Sequence, residues 1–319
     1  MKARRDSLQQ ETTEWLLAED NPSVRYFALL WLLDKAEDDP KVEAARLSIA
    51  GSEPVRRILE SQRPQGYWGR DKRPYLGVSN YLITLAHLGC RGDDERLHKA
   101  IEYLLAHAQM EDGAFSCDKY ERGRSEVVPC FTANAVRVLH RFGYGEDERT
   151  RRALDYLLRT QLDDGGWLCF ERAVKKTHAC FWATAKVLKA FRALPPPQIT
   201  PQVLDAQQRA VELFLAHGLY RHHREFGKIN SRWFEFARPL FVSTDVLEVL
   251  ELVAPHVSAK DPRIQEGLEI MLGKRDESGR WPAERQVRVR RDFPTQFEEP
   301  GQPSKWVTLH ALTMLKALR

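Results

Sequence analysis

Cysteine is scarce in this chain, with five among 319 residues, which excludes a scaffold built on disulfides. Long apolar runs are missing as well. The longest, Phe27 to Leu33, is far too short to span a bilayer, so no transmembrane segment is expected. The opening Met1-Lys2-Ala3-Arg4-Arg5-Asp6 leads into polar residues rather than an apolar stretch, which argues against a secretory signal. Neither sign of charge is in large surplus. The 49 basic and 45 acidic residues are interspersed and leave a net charge of +4, so no nucleic-acid surface is expected. Strand signals are nearly absent. The expectation is a cytoplasmic protein, with peripheral membrane contact left open. Hydrophobic residues at 43% and charged residues at 29% are enough for a large core.

What the chain does have is a repeat. Gln62-Arg-Pro-Gln-Gly66-Tyr-Trp68 returns as Gln109-Met-Glu-Asp-Gly113-Ala-Phe115 and as Gln161-Leu-Asp-Asp-Gly165-Gly-Trp167. It returns once more as Arg275-Asp-Glu-Ser-Gly279-Arg-Trp281. The long gap before Arg275 predicts a worn copy midway. Ala210-Val-Glu-Leu-Phe-Leu-Ala-His217 matches Ala100-Ile-Glu-Tyr-Leu-Leu-Ala-His107, with Leu219 at the Gln position. Each turn follows an amphipathic segment such as Arg152 to Arg159. Each precedes a more apolar one, as in Phe131 to Leu139, Phe181 to Leu188 and Trp306 to Leu315. Charged and apolar helices in alternation read as the outer and inner helices of a closed ring. The fold expected is all-α, an α/α toroid of about five to six helical hairpins in one domain over residues 1–319. Residues 1–52 supply N-terminal helices, and 53–319 supply five repeats of which the fourth is degenerate. Pro195-Pro196-Pro197 is a linker inside the ring.

These turns resemble the QW motifs of terpenoid cyclases of the squalene cyclase type and of protein prenyltransferase beta subunits, over roughly Pro54 to the C-terminus. The sequence looks most like a bacterial branch of cyclase-like proteins. The resemblance implies a Gln that caps a neighbouring helix and an aromatic stacked at a helix end. The chemistry suits this, since Gln carries both donor and acceptor for helix-end groups and Gly allows a tight turn. Trp68, Trp167 and Trp281 are thereby expected to be structural. The Asp-x-Asp-Asp acid of class II triterpene cyclases is absent. Asp38-Asp39, Asp93-Asp94 and Asp163-Asp164 lack the third carboxylate.

Four cysteines follow the repeat. Cys117 and Cys169 lie two residues after a turn aromatic, and Cys130 and Cys180 open inner helices. Thiolate and imidazole at this density suit Zn²⁺. The run Arg172-Ala-Val-Lys175-Lys-Thr-His178-Ala-Cys180 is similar to the prenyltransferase run whose Asp and Cys bind zinc, with His178 in place of the Asp. Placement by the repeat makes Cys117, Cys130, Cys169 and Cys180 candidate ligands, and the resemblance adds His178 beside Cys180 and implies that Arg172 and Lys175 hold an anionic head group. Inert packing is the alternative for the cysteines, and Cys90 is expected to pack.

Asp245 and His310, each within an otherwise apolar inner segment, are the candidate catalytic groups. Trp182, Trp233 and Trp306, with Phe234 and Phe236, are candidates to line an isoprenoid cavity. Arg288, Arg290 and Arg291 read as a solvated charge run. The function expected is an enzyme or binding protein for an apolar, isoprenoid-like ligand. As an enzyme it would be a transferase or cyclase without the class II acid motif. The other readings are a non-catalytic interaction scaffold and a carbohydrate-active toroid using acids such as Asp118 and Asp245.

Overall fold

The computed structural model describes residues 10–69, 73–117, 119, 127–170, 178–223, 227–287 and 293–318. After a short helix over 10–16 come α1 (Pro22–Trp31), α2 (Pro40–Gly51), α3 (Glu53–Glu60) and α4 (Asn80–His87). Then follow α5 (Glu95–Ala108), α6 (Pro129–Arg141), α7 (Glu148–Arg159) and α8 (Phe181–Arg192). The last four are α9 (Pro201–Ala216), α10 (Val246–Val253), α11 (Pro262–Leu272) and α12 (Lys305–Ala317). Among the described residues β-structure is confined to isolated bridges, two of which pair Gln62 with Trp68 and Gln109 with Phe115.

Burial separates the two layers. Helix α6 buries ten of its 13 residues, whereas α7 buries four of 12, the one-sided pattern of an outer helix. Helices α1, α4, α6, α8, α10 and α12 form the inner ring. The outer helices α5, α7 and α11 share a start signal that the repeat also carries. Asp94, Asp147 and Asp261 each accept a hydrogen bond from the backbone N–H two residues on, and each grips the side chain of the Arg at that position. Two of these arginines also reach back to the preceding outer helix, Arg149 to Glu102 at 2.7 Å and Arg263 to Glu212 at 2.9 Å.

Three kinds of bond tie the turns to their neighbours, and the Gln161 turn makes all three. The Gln side chain donates forward to the next outer helix: Gln62 to the Arg96 carbonyl at 2.8 Å, Gln109 to Arg149 at 2.6 Å, Gln161 to Ala206 at 2.8 Å. The Trp indole donates back to the C-terminal end of its own outer helix. Trp68 reaches the Ile58 carbonyl, Trp167 that of Leu157 and Trp281 that of Met271, at 2.7–2.8 Å. Those carbonyls lie in the last turn of the helix, where regular bonding along the axis ends, and the indole adds a donor beside local ones such as the Ser61 N–H at Ile58 and the Lys274 N–H at Met271. The backbone N–H of the turn aromatic then donates to an inner-helix threonine: Phe115 to Thr132, Trp167 to Thr184, Trp281 to Thr308. The glycines take φ of +84° to +98° at these turns. A side chain on Gly66 would stand 2.7 Å from the Lys99 carbonyl oxygen.

The worn repeat keeps its outer helix. Ala210 to Ala216 lie in α9 as the match predicts, but the helix ends there, short of Leu219. Leu219 is fully buried at φ +72° and packs against Gly267, the sixth residue of α11. Ala206, which Gln161 clasps, is the sixth residue of α9. Apolar packing thus replaces a hydrogen bond at the same joint.

The ring closes on the N-terminal helix. The Thr12 hydroxyl donates to the Ser278 carbonyl, the Arg280 guanidinium lies 4.2 Å from the Trp15 ring centroid, and Lys305 pairs with Asp20. The Lys316 ammonium donates to the Trp31 and Leu32 carbonyls at 3.0 and 3.1 Å, covering the end of α1. Inside, His87 of α4 packs on Trp306 of α12 with centroids 4.0 Å apart. The architecture is the α/α toroid that the repeat implies.

Candidate functional site

Helices α8, α10 and α12 carry charge where an inner ring would ordinarily be apolar. Lys186 and Lys189 of α8 both bind Glu248 of α10, at 2.6 and 2.5 Å. Glu251, one turn on, accepts from Arg238 at 3.3 Å and from the His310 Nδ1 at 2.5 Å. Arg238 in turn donates to Asp245 at 2.7 Å. A relay therefore runs from Asp245 through Arg238 and Glu251 to His310. Buried charges persist only when paired and hydrogen-bonded, and each carboxylate here has a cation.

Beside this network opens a cavity of about 510 Å³, lined by Trp31, Lys189, Glu248, Glu251, Leu252 and His310 among others. Burial depresses the His310 imidazole, outweighing the pull of Glu251, so the ring is neutral at pH 7. With its Nδ1–H donated to Glu251, the neutral ring carries its lone pair on Nε2, which is buried and has no protein partner. Burial also pushes the Lys189 ammonium down to about 7, against the pull of Glu248. An imidazole lone pair oriented by a carboxylate, beside an amine that titrates near neutrality, is an arrangement for moving protons.

Asp245 corrects a sequence expectation. It does not stand inside an inner helix but is the N-cap of α10, in extended backbone at φ −137°. One oxygen accepts from the Glu248 N–H at 2.8 Å and the other from Arg238, so it orients the relay and does not line the cavity. The candidate tryptophans are placed differently from the expected cavity wall. Trp233 and Trp306 are buried, Trp182 is half-buried at the start of α8, and the tryptophan lining the 510 Å³ cavity is Trp31. Arg172, Lys175, Asp118, Arg288, Arg290 and Arg291 lie outside the described residues.

The cysteines gather without forming an ion-sized cage. Cys117, Cys130 and Cys169 all act on Tyr75, in the π-helical turn Tyr75–Ser79 that leads into α4, and Cys180 and Cys117 act on Cys130. Burial pushes the Cys130 thiol up to about 12, with its cysteine neighbours adding to the rise. Among the described residues, the group whose ligand atoms all lie within 4.8 Å of one another is Asp164, His178 and His223. Of the five ligands expected from the sequence it contains His178 alone. A further buried acid, Glu298, precedes α12. Burial raises it to about 7 although the Ser304 hydroxyl and the Trp306 N–H donate to its Oε1.

Residues 31–181 match the family model of the squalene-hopene cyclase C-terminal domain. Over this stretch, just under half of its length, the chain is similar to a terpenoid cyclase domain. Among solved structures, a protein from Actinoplanes is 15% identical, with 94% of this chain and 90% of that chain covered at a TM-score of 0.47. A variant of the type II terpene cyclase MstE from Scytonema, in complex with geranylgeranyl dihydroxybenzoate, is 14% identical at a TM-score of 0.47, covering 100% and 99% of the two chains. The apo form of MstE is 16% identical at a TM-score of 0.46, covering 93% and 87%. No curated protein matches the chain. Among the described residues no helix is long and apolar enough to cross a membrane.

In this ring the residues that sequence reasoning missed are Lys186, Lys189, Glu248, Glu251 and Arg238. A signal for four of them was present. Two lysines three apart in one apolar inner segment face two glutamates three apart in another, which is the spacing of neighbours on one helix face.

Proposed function

We propose that the chain is an enzyme that binds an amphiphilic, isoprenoid-like ligand in the 510 Å³ cavity, with His310 as the proton acceptor. The carrying observation is His310 itself, held through Nδ1 by Glu251 while Nε2 has no protein partner. The cavity volume falls within the range of small-molecule sites. Leu30, Trp31 and Leu252 offer an apolar wall, and Lys189 and Arg192 offer cations. The family model that matches is named for squalene-hopene cyclase, which supports an isoprenoid class of ligand. The missing Asp-x-Asp-Asp motif separates this reading from proton-initiated class II chemistry. Here the polar groups of the site take up a proton or hold an anionic head group.

The test is calorimetric titration with geranylgeranyl diphosphate, geranylgeraniol and inorganic diphosphate. The reading expects the diphosphate ester to bind tightest, with Leu252→Asp and Lys189→Met each weakening it at least about tenfold. His310→Gln should retain binding and abolish conversion of the ester, followed by mass spectrometry. Binding that is indifferent to both cavity variants, or conversion that survives His310→Gln, overturns it.

A further inference from the structure

We propose that Asp164, His178 and His223 bind a divalent transition-metal ion at the start of α8. The three come from separate segments: the turn after α7, the residues leading into α8, and the loop after α9. Their ligand atoms nevertheless converge within 4.8 Å of one another. Two imidazoles and one carboxylate suit zinc, iron, cobalt or nickel in preference to magnesium or calcium.

The surroundings hold two of these groups in the posture of ligands. The Asp164 carboxylate accepts from the Gly166 N–H at 3.1 Å and from the Ala179 N–H at 2.8 Å, which fixes both oxygens and leaves each a lone pair. His223 donates from Nε2 to the Ala179 carbonyl at 3.0 Å, so Nδ1 carries the lone pair. Its ring is backed by Phe181, with centroids 4.7 Å apart, and by His217 at 4.6 Å. A second ring-nitrogen bond to a backbone carbonyl is how proteins commonly set the tautomer and orientation of a metal-binding histidine. His178 is exposed, and its ring lies over that of His223 with centroids 5.1 Å apart.

Three protein ligands leave at least one coordination position for water or an exogenous oxygen donor, as in open rather than closed sites. The set shares His178 with the zinc-like run of the sequence, but Asp164 and His223 are new and no cysteine belongs to it. Eight residues of α8, about 12 Å of rise, separate its first residue from Lys189. The metal site therefore stands apart from the cavity that the proposed ligand occupies.

Cobalt(II) serves as the probe, titrated into the full-length protein and followed by calorimetry and visible absorption. The proposal expects one ion per chain, with d–d bands and no sulfur-to-metal charge transfer. His223→Gln keeps a donor for the Ala179 carbonyl, and circular dichroism checks that it folds. It and Asp164→Asn should each weaken binding more than about 100-fold, since loss of outer-shell partners alone costs roughly 10–100-fold. Cys180→Ser should leave the affinity unchanged. Absence of cobalt binding overturns the site, as does full affinity in a folded His223→Gln. An intense charge-transfer band that disappears in Cys180→Ser also overturns it, by assigning the ion to thiolates.

Discussion

Thr12 donates its hydroxyl to the carbonyl of Ser278, 3.1 Å away and 266 residues along the chain. At the other turns the corresponding neighbour is the next outer helix in sequence. At the last turn it is the first described helix. Thr12→Val keeps the shape and removes the donor, and should lower unfolding stability by about 1 kcal/mol. Urea denaturation measures this, and an unchanged midpoint would show that the joint is held by other groups.

Gly113 and Gly143 share a left-handed backbone, at φ +93° and +89°, but differ in surroundings. A Cβ on Gly113 would collide with the Arg152 carbonyl, whereas one on Gly143 meets nothing within 4 Å. Gly143→Ala should therefore cost only the conformational strain, about 1–2 kcal/mol. Gly113→Ala should cost clearly more, because backbone must move. Comparing their thermal unfolding tests this, and equal losses would deny the close approach.

Glu248 holds Lys186 and Lys189, and Lys186 is fully buried. Glu248→Leu strands a buried ammonium and is expected to cost about 3–5 kcal/mol. Lys186→Met should cost less, because Glu248 keeps Lys189 as its cation. Denaturant titration of the two variants should show that order, and the reverse order would contradict the assignment.

Glu298 gives a dependence on pH with a definite sign. Its carboxyl is raised to about 7 in the folded protein, against about 4.3 in an unfolded chain. The folded state therefore holds the extra proton, and stability falls as pH rises from about 4 to 7, then levels off. Glu298→Gln cannot ionise and should match the wild type at pH 4 while exceeding it at pH 8 by on the order of 1–3 kcal/mol. Equal pH profiles for the two proteins would remove Glu298 as the cause.

The ring was readable because each motif position answers a separate physical demand. Gln62 needs both a donor and length, Gly66 needs a left-handed backbone beside a carbonyl, and Trp68 needs an N–H at its far end. Periodicity carried the rest, including a ninth helix whose turn signature had worn away. The site was less legible. Phe241-Val-Ser-Thr-Asp245-Val-Leu looks like one apolar segment, yet Asp245 before an apolar run is a helix-cap signal, and the helix starts one residue later. His310 was marked by its apolar surroundings, but its partner Glu251 depends on which inner helices are neighbours, and spacing within one helix does not contain that. His223 falls in the loop after α9, and its approach to Asp164 depends on how consecutive hairpins pack, which spacing along the chain does not contain.

A closed ring fixes the number of its members. In an open stack a failing unit can be deleted and its neighbours brought together, at the loss of one interface. Here deletion would leave a gap of one hairpin and pull Thr12 away from Ser278 on the far side. The worn repeat, stripped of its Gln, Gly and aromatic, still supplies α9 and α10, with Leu219 wedged against Gly267. Its turn can do without the motif because closure and packing already hold its place. The hairpin so held is the one whose inner helix brings Glu248 and Glu251 into the ring.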